Sequence, residues 1–361
     1  MPKPRSSLVD ESVTPWYHCI SRCVRREPLC GGEFAYRKQW IEDRLKELAE
    51  IFSIECAGFA VMDNHLHLLL RLDSRQAERW SGEEVARRWL QLFPLRDITG
   101  KPLAVTKART RQFASDPDWV DKTRERLANL SWFMKCLKEP IARRANREDD
   151  MTGAFWEGRF KSIAVLDEAS LLSTAAYIDL NPLAAGAAPT PEESGHTSLR
   201  VRLDHRELNG SDHTLHDDLS TLTRNPAQEA GLWLLPLDDS RADGAGRPGL
   251  MVGCTLSFYL SVVDATSRMV RDGKASLDAR VAPIFQRLEL DQSLVETAIH
   301  RLFQPHRRTA NALGTKIGGP SGARRGRPLR QQLDPPPDID RTEAFRFGMT
   351  PTCPEAFLDR P

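Results

Sequence analysis

The amino-acid sequence predicts an α+β protein with one antiparallel sheet and helices on one face. Short segments of alternating apolar residues, typical of strands, are separated by longer segments with helical periodicity. Two of the strand segments follow each other directly through an Asp-Asn turn, which favours an antiparallel pair. The order strand, helix, strand, strand, helices, strand, helix then indicates a two-layer α+β arrangement.

The first predicted strand begins at Trp16 and runs to Val24. The paired strands are Ile54–Met62 and His65–Leu72, and the turn between them contains Asp63 and Asn64. A last strand is predicted from the alternation over Phe155–Leu166.

Four helices follow from apolar spacing and capping residues. They are predicted over Tyr36–Phe52, over Ser81–Phe93 with Ser81 and Glu84 as a capping box, from Pro117 to Arg144, and from the cap Asp167 to Ile178. Pro182 is expected to stop the last of these helices. Residues 94–115 are polar and basic and favour no assignment.

Composition and length restrict the class of protein. The 361 residues suggest two domains or one domain with an extension, and 40% hydrophobic residues are enough for a sizeable core. No apolar run is long enough for a transmembrane helix and no secretory signal is readable, so a cytoplasmic location is expected. The seven cysteines show no metal-binding or disulfide spacing and are predicted to be free thiols. With 51 basic and 50 acidic residues, net charge argues neither for nor against nucleic acid.

The segment from Asn64 to Leu70 contains two histidines one residue apart. Side chains at alternate positions of a strand share a face, so His65 and His67 would lie side by side. Two imidazoles at that separation can hold a divalent metal ion. Two half-exposed sheet histidines without a ligand would give the same pattern, and the spacing alone leaves both interpretations open.

A second pattern occurs at the end of the last predicted helix. Tyr177 and Asn181 are four residues apart and share a helix face. A phenol beside a cation can become a nucleophile, and an amide oxygen is a suitable hard ligand. A core tyrosine followed by a helix-ending Asn-Pro pair is the alternative.

Four segments together resemble the REP-associated tyrosine transposases, which belong to the single-tyrosine branch of the HUH endonuclease superfamily. The resemblance covers residues 15–200, about half the chain, and rests on YHCISR at 17–22, MDNHLHLL at 62–69, WEGRFKS at 156–162 and YIDLNPLAAG at 177–186. Asp63 replaces the proline that usual members have before Asn-His, and residues 195–198 follow the family pattern only loosely.

The resemblance implies a ferredoxin-like sheet and metal-assisted transesterification of single-stranded DNA, with hairpin-forming DNA as partner. Tyr177 would be the nucleophile and form a 5′-phosphotyrosine, while His65, His67 and Asn181 would hold Mg²⁺ or Mn²⁺. No nucleotide cofactor is expected, because strand joining reverses the same step and the sequence has no P-loop. The oligomeric state, monomer or dimer, stays open.

Several basic residues are candidates for contacts with DNA phosphates. Arg22 lies in the first predicted strand, and Arg159 and Lys161 alternate around Phe160 in the last one, where they would point the same way. Arg325 and Arg327 lie in an Arg-Gly-Arg-Pro segment that resembles an AT-hook. Each of these residues could instead belong to a solvated surface or linker.

The predicted domains are residues 1–200 as the HUH domain, 201–333 as a partly helical extension that becomes basic at its end, and 334–361 as a disordered tail rich in proline. The alternative function is a domesticated hairpin-binding protein that no longer cuts DNA. A replication initiator or relaxase is a third interpretation, disfavoured by the lack of a helicase motor.

Overall fold

A computed structural model describes residues 8–209, 232–239, 248–269 and 273–288. Its centre is an antiparallel sheet in the spatial order β2-β3-β1-β4. The strands are β1 (Trp16–Arg22), β2 (Ile54–Val61), β3 (His65–Leu72) and β4 (Lys161–Ala164). The predicted α+β class with one antiparallel sheet is thereby confirmed.

The predicted hairpin is formed by β2 and β3. The Met62 N–H donates to the His65 carbonyl over 2.8 Å and closes the turn. The two strands pair along their length, with one irregularity between Cys56 and Gly58. β3 lies between β2 and β1, so its backbone is hydrogen-bonded on both edges.

One face of the sheet carries the main hydrophobic core. Leu66, Leu68 and Leu70 project from β3 into a cluster with apolar side chains of α1 (Arg37–Ile51) and α6 (Leu130–Glu148). Alternate residues of β3 therefore face these two helices, and the intervening ones, His65 and His67, face the opposite side.

The helical region between β3 and β4 differs from the prediction in two places. The single helix expected from Pro117 to Arg144 is wrong, because Asn129 caps a new helix by accepting from the N–H groups of Ser131 and Trp132. The unassigned segment 94–115 contains a helix capped by Thr106. The elements here are α2 (Ser74–Glu78), α3 (Gly82–Leu92), α4 (Lys107–Ala114) and α5 (Pro117–Leu127).

Only one of the two hydrogen bonds of the predicted capping box forms at the start of α3. Ser81 Oγ accepts from the Glu84 N–H over 3.2 Å, as expected. The Glu84 carboxylate instead binds Arg87 and Arg88 on its own helix. The two ion pairs take the place of its return bond to the Ser81 N–H.

The strand predicted over Phe155–Leu166 is wrong in its first half. Only Lys161–Ala164 forms β4, and Trp156 makes an isolated bridge to Cys23. Lys138 of α6 holds the chain between Trp156 and β4. Its carbonyl accepts from the Trp156 indole, and its ammonium donates to the Gly158 carbonyl. These contacts bend residues 157–159 out of the strand.

The face of the sheet opposite α1 and α6 is covered by α7 (Glu168–Asp179), which contacts β2 and β3. The chain continues through α8 (Asn181–Ala184) and α9 (Ser198–Asn209). Helical layers therefore lie on both sides of the sheet, whereas the sequence predicted helices on one face, because α7 packs over the side that carries His65 and His67.

Part of the predicted C-terminal extension is described and is helical. The elements are α10 (Leu256–Ser267), which packs on α7, and the short α11 (Ile284–Arg287). The basic end of the predicted extension and the tail from residue 334 onward lie outside the described residues.

Two sequence predictions about composition can be compared with the described residues. All six cysteines found there are free and buried, as expected. Among the described helices, none is long and apolar enough to cross a membrane.

Candidate functional site

The candidate site lies on the face of the sheet that α7 covers. His65 and His67 project from β3 on this side, with ring centroids 4.9 Å apart. His67 is buried and His65 is half-buried. Strand alternation alone predicted this juxtaposition, and the structure brings the two rings together.

Each of the two imidazoles is held through its Nδ1 atom. His65 Nδ1 lies 2.7 Å from Asn64 Oδ1, and His67 Nδ1 lies 2.9 Å from Nε2 of His18 on β1. The His18 and His67 rings are stacked with centroids 5.1 Å apart. Because Nδ1 is engaged in both rings, Nε2 is the atom left to bind a ligand.

Tyr177 and Asn181 complete the group. The Tyr177 ring lies 5.7 Å from His67 and 6.1 Å from His18 between centroids, and 43% of the residue is exposed. The Asn181 side chain lies close enough to His65 to raise the pKa of that imidazole, and it donates to the Tyr177 carbonyl over 3.2 Å. The pair predicted from i, i+4 spacing therefore meets the histidine pair.

The helix carrying Tyr177 ends before Pro182, close to its predicted end, although a short helix follows at once. α7 ends at Asp179, but Leu180 keeps helical angles and Asn181 begins α8, with Pro182 in its first turn. Proline is compatible with this position because the first N–H groups of a helix have no partner within it. Asn181 therefore keeps its helical relation to Tyr177.

Burial makes the histidines at the site resist protonation. It lowers the pKa of His65 and of His18 to about 4, and that of His67 well below its ordinary value. The positive charge of Arg22 also lowers the pKa values of His65 and His67. All three rings are neutral at pH 7, which is the form that binds a metal ion.

The donor set suits a divalent cation. Two neutral imidazoles and one amide lie close together, and the engaged Nδ1 atoms fix the orientation of the rings. The described residues contain no cluster of three or more His, Cys, Asp or Glu side chains with metal-binding geometry. A closed structural zinc site is therefore not built here, whereas an open site with room for water or phosphate oxygens is compatible with the residues.

Two of the predicted DNA-contacting residues share this face. Arg22 is the direct partner of His65 in the β1–β3 register. Lys161 pairs with Ile20, which pairs with His67, so the three residues form one row across the sheet. The row places Lys161 about 10 Å from His67 at the usual strand spacing.

The other predicted basic residues have a different outcome. Arg159 lies in the bend before β4 and not in a strand, so the expected alternation with Lys161 is wrong. Its side chain is exposed. Arg325 and Arg327 lie outside the described residues.

Sequence reasoning missed two residues of the site. His18 was identified only as part of a strand, and its contact with His67 depends on the register between β1 and β3. Lys274, an exposed residue of the C-terminal extension, lies close enough to His65 for its charge to lower the pKa of that imidazole. Its neighbour Ala275 donates its N–H to the Ala184 carbonyl at the end of α8. No local pattern around position 274 indicates this placement.

A second polar cluster lies beneath the site, around Asp179. Its carboxylate accepts from Ser198 Oγ over 2.6 Å, from the Leu199 N–H over 2.9 Å and from the Tyr259 hydroxyl over 2.5 Å. Burial raises the pKa of Asp179 and raises that of Tyr259 well above its ordinary value. This cluster fixes the end of α7 to α9 and α10.

Comparisons with known proteins give distant structural similarity only. No family model and no curated protein matches the sequence. A REP-associated tyrosine transposase, solved bound to a REP hairpin, is 12% identical with a TM-score of 0.31, over 52% of this chain and 78% of that one. A transposase candidate from Deinococcus radiodurans is 19% identical with a TM-score of 0.22, over 45% of this chain and 88% of that one. At TM-scores this low, function has to be inferred from the site itself.

Proposed function

We propose that the protein is a metal-dependent single-stranded DNA endonuclease and strand transferase, of the transposase type, acting at hairpin-forming repeats. The observation that carries the proposal is the meeting of four residues from two distant segments. A partly exposed tyrosine ring stands beside two neutral imidazoles and an amide, and all four residues belong to the motifs that resemble the family.

Tyr177 is the proposed nucleophile. Of this residue 43% is exposed, which leaves room for a phosphodiester to approach it. In-line attack on phosphorus forms a 5′-phosphotyrosine and releases a 3′-hydroxyl, and attack by a 3′-hydroxyl then reverses the step. One phosphodiester replaces another, so the chemistry needs no nucleotide cofactor.

The remaining residues of the site would hold the metal ion and orient its ligands. His65, His67 and Asn181 would hold Mg²⁺ or Mn²⁺, which supplies charge for the scissile phosphate and favours the phenolate. His18 and Asn64 orient the two imidazoles through Nδ1. Arg22 and Lys274 add positive charge beside His65, where a phosphate would lie.

The test is cleavage of a labelled single strand that carries a 5′ hairpin, with and without Mn²⁺. We expect cleavage and a denaturant-stable protein–DNA adduct in the wild type, and neither in Tyr177→Phe, which removes one oxygen and keeps the ring. Tyr36→Phe is the matched control, since Tyr36 is 46% exposed but lies at the start of α1. DNA binding should be nearly unchanged in both variants.

Two outcomes would contradict the proposal. An adduct that persists in Tyr177→Phe would assign the nucleophile to another residue. Specific hairpin binding by the wild type without cleavage in any divalent metal ion would favour a domesticated DNA-binding protein.

A further inference from the structure

A groove of about 420 Å³ lies on the side of the sheet that α1 and α6 cover, opposite to His65 and His67. It runs between α1, the end of α3 with the loop that follows, and α6. These elements pack on the leucine face of β3, so the groove and the candidate site are separated by the sheet. Nothing in the proposed cleavage chemistry uses this region.

The lining of the groove is strongly basic. One carboxylate, that of Glu139, faces six cationic side chains: Arg44, Arg96, Lys135, Arg143, Arg144 and Arg147. Arg143 pairs with Glu139, and Arg44 pairs with Glu47. In the described part of the chain no carboxylate forms an ion pair with the other four, so their charges are available to a polyanion.

The cations follow the length of α6. Lys135 and Arg147 are twelve residues apart, which corresponds to about 18 Å along the helix axis. At about 3.4 Å per stacked nucleotide, this length matches roughly five nucleotides of one strand. A row of this kind fits an extended phosphate backbone better than a single small anion.

Aromatic rings lie beside the cations. The Arg144 guanidinium lies 3.7 Å from the centroid of the Trp40 ring, and Lys135 Nζ lies 4.8 Å from that of Trp132. Phe93 lines the groove and is exposed. Basic grooves with accessible aromatic faces are typical of surfaces that bind single-stranded nucleic acid, because bases stack on the rings.

The groove has a fixed floor. Pro140 inside α6 has no N–H to donate to the Cys136 carbonyl, and Arg44 Nε donates to that oxygen instead, over 3.1 Å. Arg44 is thereby held across the space between α1 and α6. This internal contact fixes its charge in place before any ligand arrives.

We infer that this groove is a second nucleic-acid-binding surface, which holds the backbone of a single-stranded DNA segment outside the catalytic site. The choice of DNA among polyanions rests on the proposed function. The geometry separates the two roles, because cutting takes place on one face of the sheet and the groove retains the strand on the other.

The test compares DNA affinity in two charge-matched double variants of the full chain. Arg144→Gln/Arg147→Gln removes two cations from the groove, and Arg75→Gln/Arg79→Gln removes two exposed cations from α2 and the residue after it. Binding of a short mixed-sequence single strand is measured by fluorescence anisotropy without divalent metal, over a series of salt concentrations.

We expect the groove variant to bind about tenfold more weakly at low salt and the slope of log K against log salt to fall by about 1.4, for two lost phosphate contacts. The control should stay within about twofold of the wild type. Equal loss in both variants would overturn the inference, because it would show a general charge effect. A blunt duplex of the same length is the second ligand, and a larger loss for duplex than for single strand would overturn the assignment to single strands.

The result is independent of the proposed cleavage. If the wild type does not cut DNA but the groove variant alone loses DNA affinity, the groove proposal is supported and the endonuclease proposal is wrong. If the wild type cuts and the groove variant binds like the wild type, the groove proposal falls alone.

Discussion

Two polar clusters meet on α7, two residues apart, and they differ in almost every physical respect. Tyr177 is partly exposed and faces imidazoles that keep free ring nitrogens. Asp179 is 1% exposed, and both of its carboxylate oxygens accept hydrogen bonds from buried donors. The first cluster keeps ring nitrogens for a ligand, as a reactive site requires, whereas both carboxylate oxygens of the second are engaged inside the protein, as a structural anchor requires.

The strongest test of this difference between the two clusters is to remove the imidazoles of the exposed one. We expect His65→Ala and His67→Ala each to lower cleavage by about 100-fold or more, because two imidazoles and one amide leave little redundancy among the ligands. Asn181→Ala should be milder, since water can replace a neutral oxygen ligand. Cleavage rates with Mn²⁺ and Mn²⁺ affinity by electron paramagnetic resonance measure both effects.

The thermal unfolding midpoint is the control for these variants. It should change little in His65→Ala and fall in His67→Ala, because the buried His67 ring bonds to His18, so cleavage by His67→Ala is measured below its own midpoint. Full cleavage by the His65→Ala/His67→Ala double variant would show that the two histidines are ordinary sheet residues.

A second experiment asks whether His18 belongs to the reactive cluster or only to the core. His18→Leu removes the partner of His67 Nδ1, and we expect Mn²⁺ affinity to fall by about 10- to 100-fold. His18→Gln offers an amide in the same direction and should restore part of that affinity. If His18 were only a core residue, the order of the two variants would be reversed. His18→Leu would then keep more Mn²⁺ affinity than His18→Gln, because a protein core tolerates leucine better than glutamine. Equal Mn²⁺ affinity in wild type and His18→Leu would exclude a positioning role.

A change in the buried cluster around Asp179 should have the smallest effect on the cleavage rate and a clear effect on the free energy of unfolding. Tyr259→Phe leaves Asp179 Oδ2 without its donor, and the free energy of unfolding should fall by about 1–3 kcal/mol. Urea denaturation measures this change, while the cleavage rate of the folded variant should stay within about tenfold of the wild type. Tyr17→Phe is a useful comparison, because the Tyr17 hydroxyl bonds only to backbone groups of Asp10. A cleavage loss as large as that of the histidine variants would place Tyr259 in the reactive cluster.

The same contrast explains what the sequence could predict. His65, His67, Tyr177 and Asn181 are found by short-range rules, because strand alternation and helix spacing set each pair locally. Their meeting across the sheet was implied by the resemblance and is not derivable from spacing. The contacts of His18 and Lys274 depend on strand register and on a late segment, and neither leaves a local pattern.

The fold errors have equally local causes. Asn129 is a good helix cap, but the apolar spacing continues across it, so periodicity favoured one long helix. The alternation over Phe155–Leu166 is present in the sequence, but the contacts of Lys138 with Trp156 and Gly158 bend the chain. In both places a side chain contact overrode a periodic pattern.

The bond between Tyr259 and Asp179 spans 80 residues and has a consequence for the order in which the protein is made. Synthesis delivers α7 well before Tyr259, the residue whose hydroxyl donates to the buried carboxylate of Asp179. Until residue 259 has left the ribosome, α7 ends in a carboxylate that lacks one of its donors, and the orientation of Tyr177 lacks that support. In a nascent chain the group formed by Tyr177 and the histidines therefore gains its full support only after Tyr259 has been added.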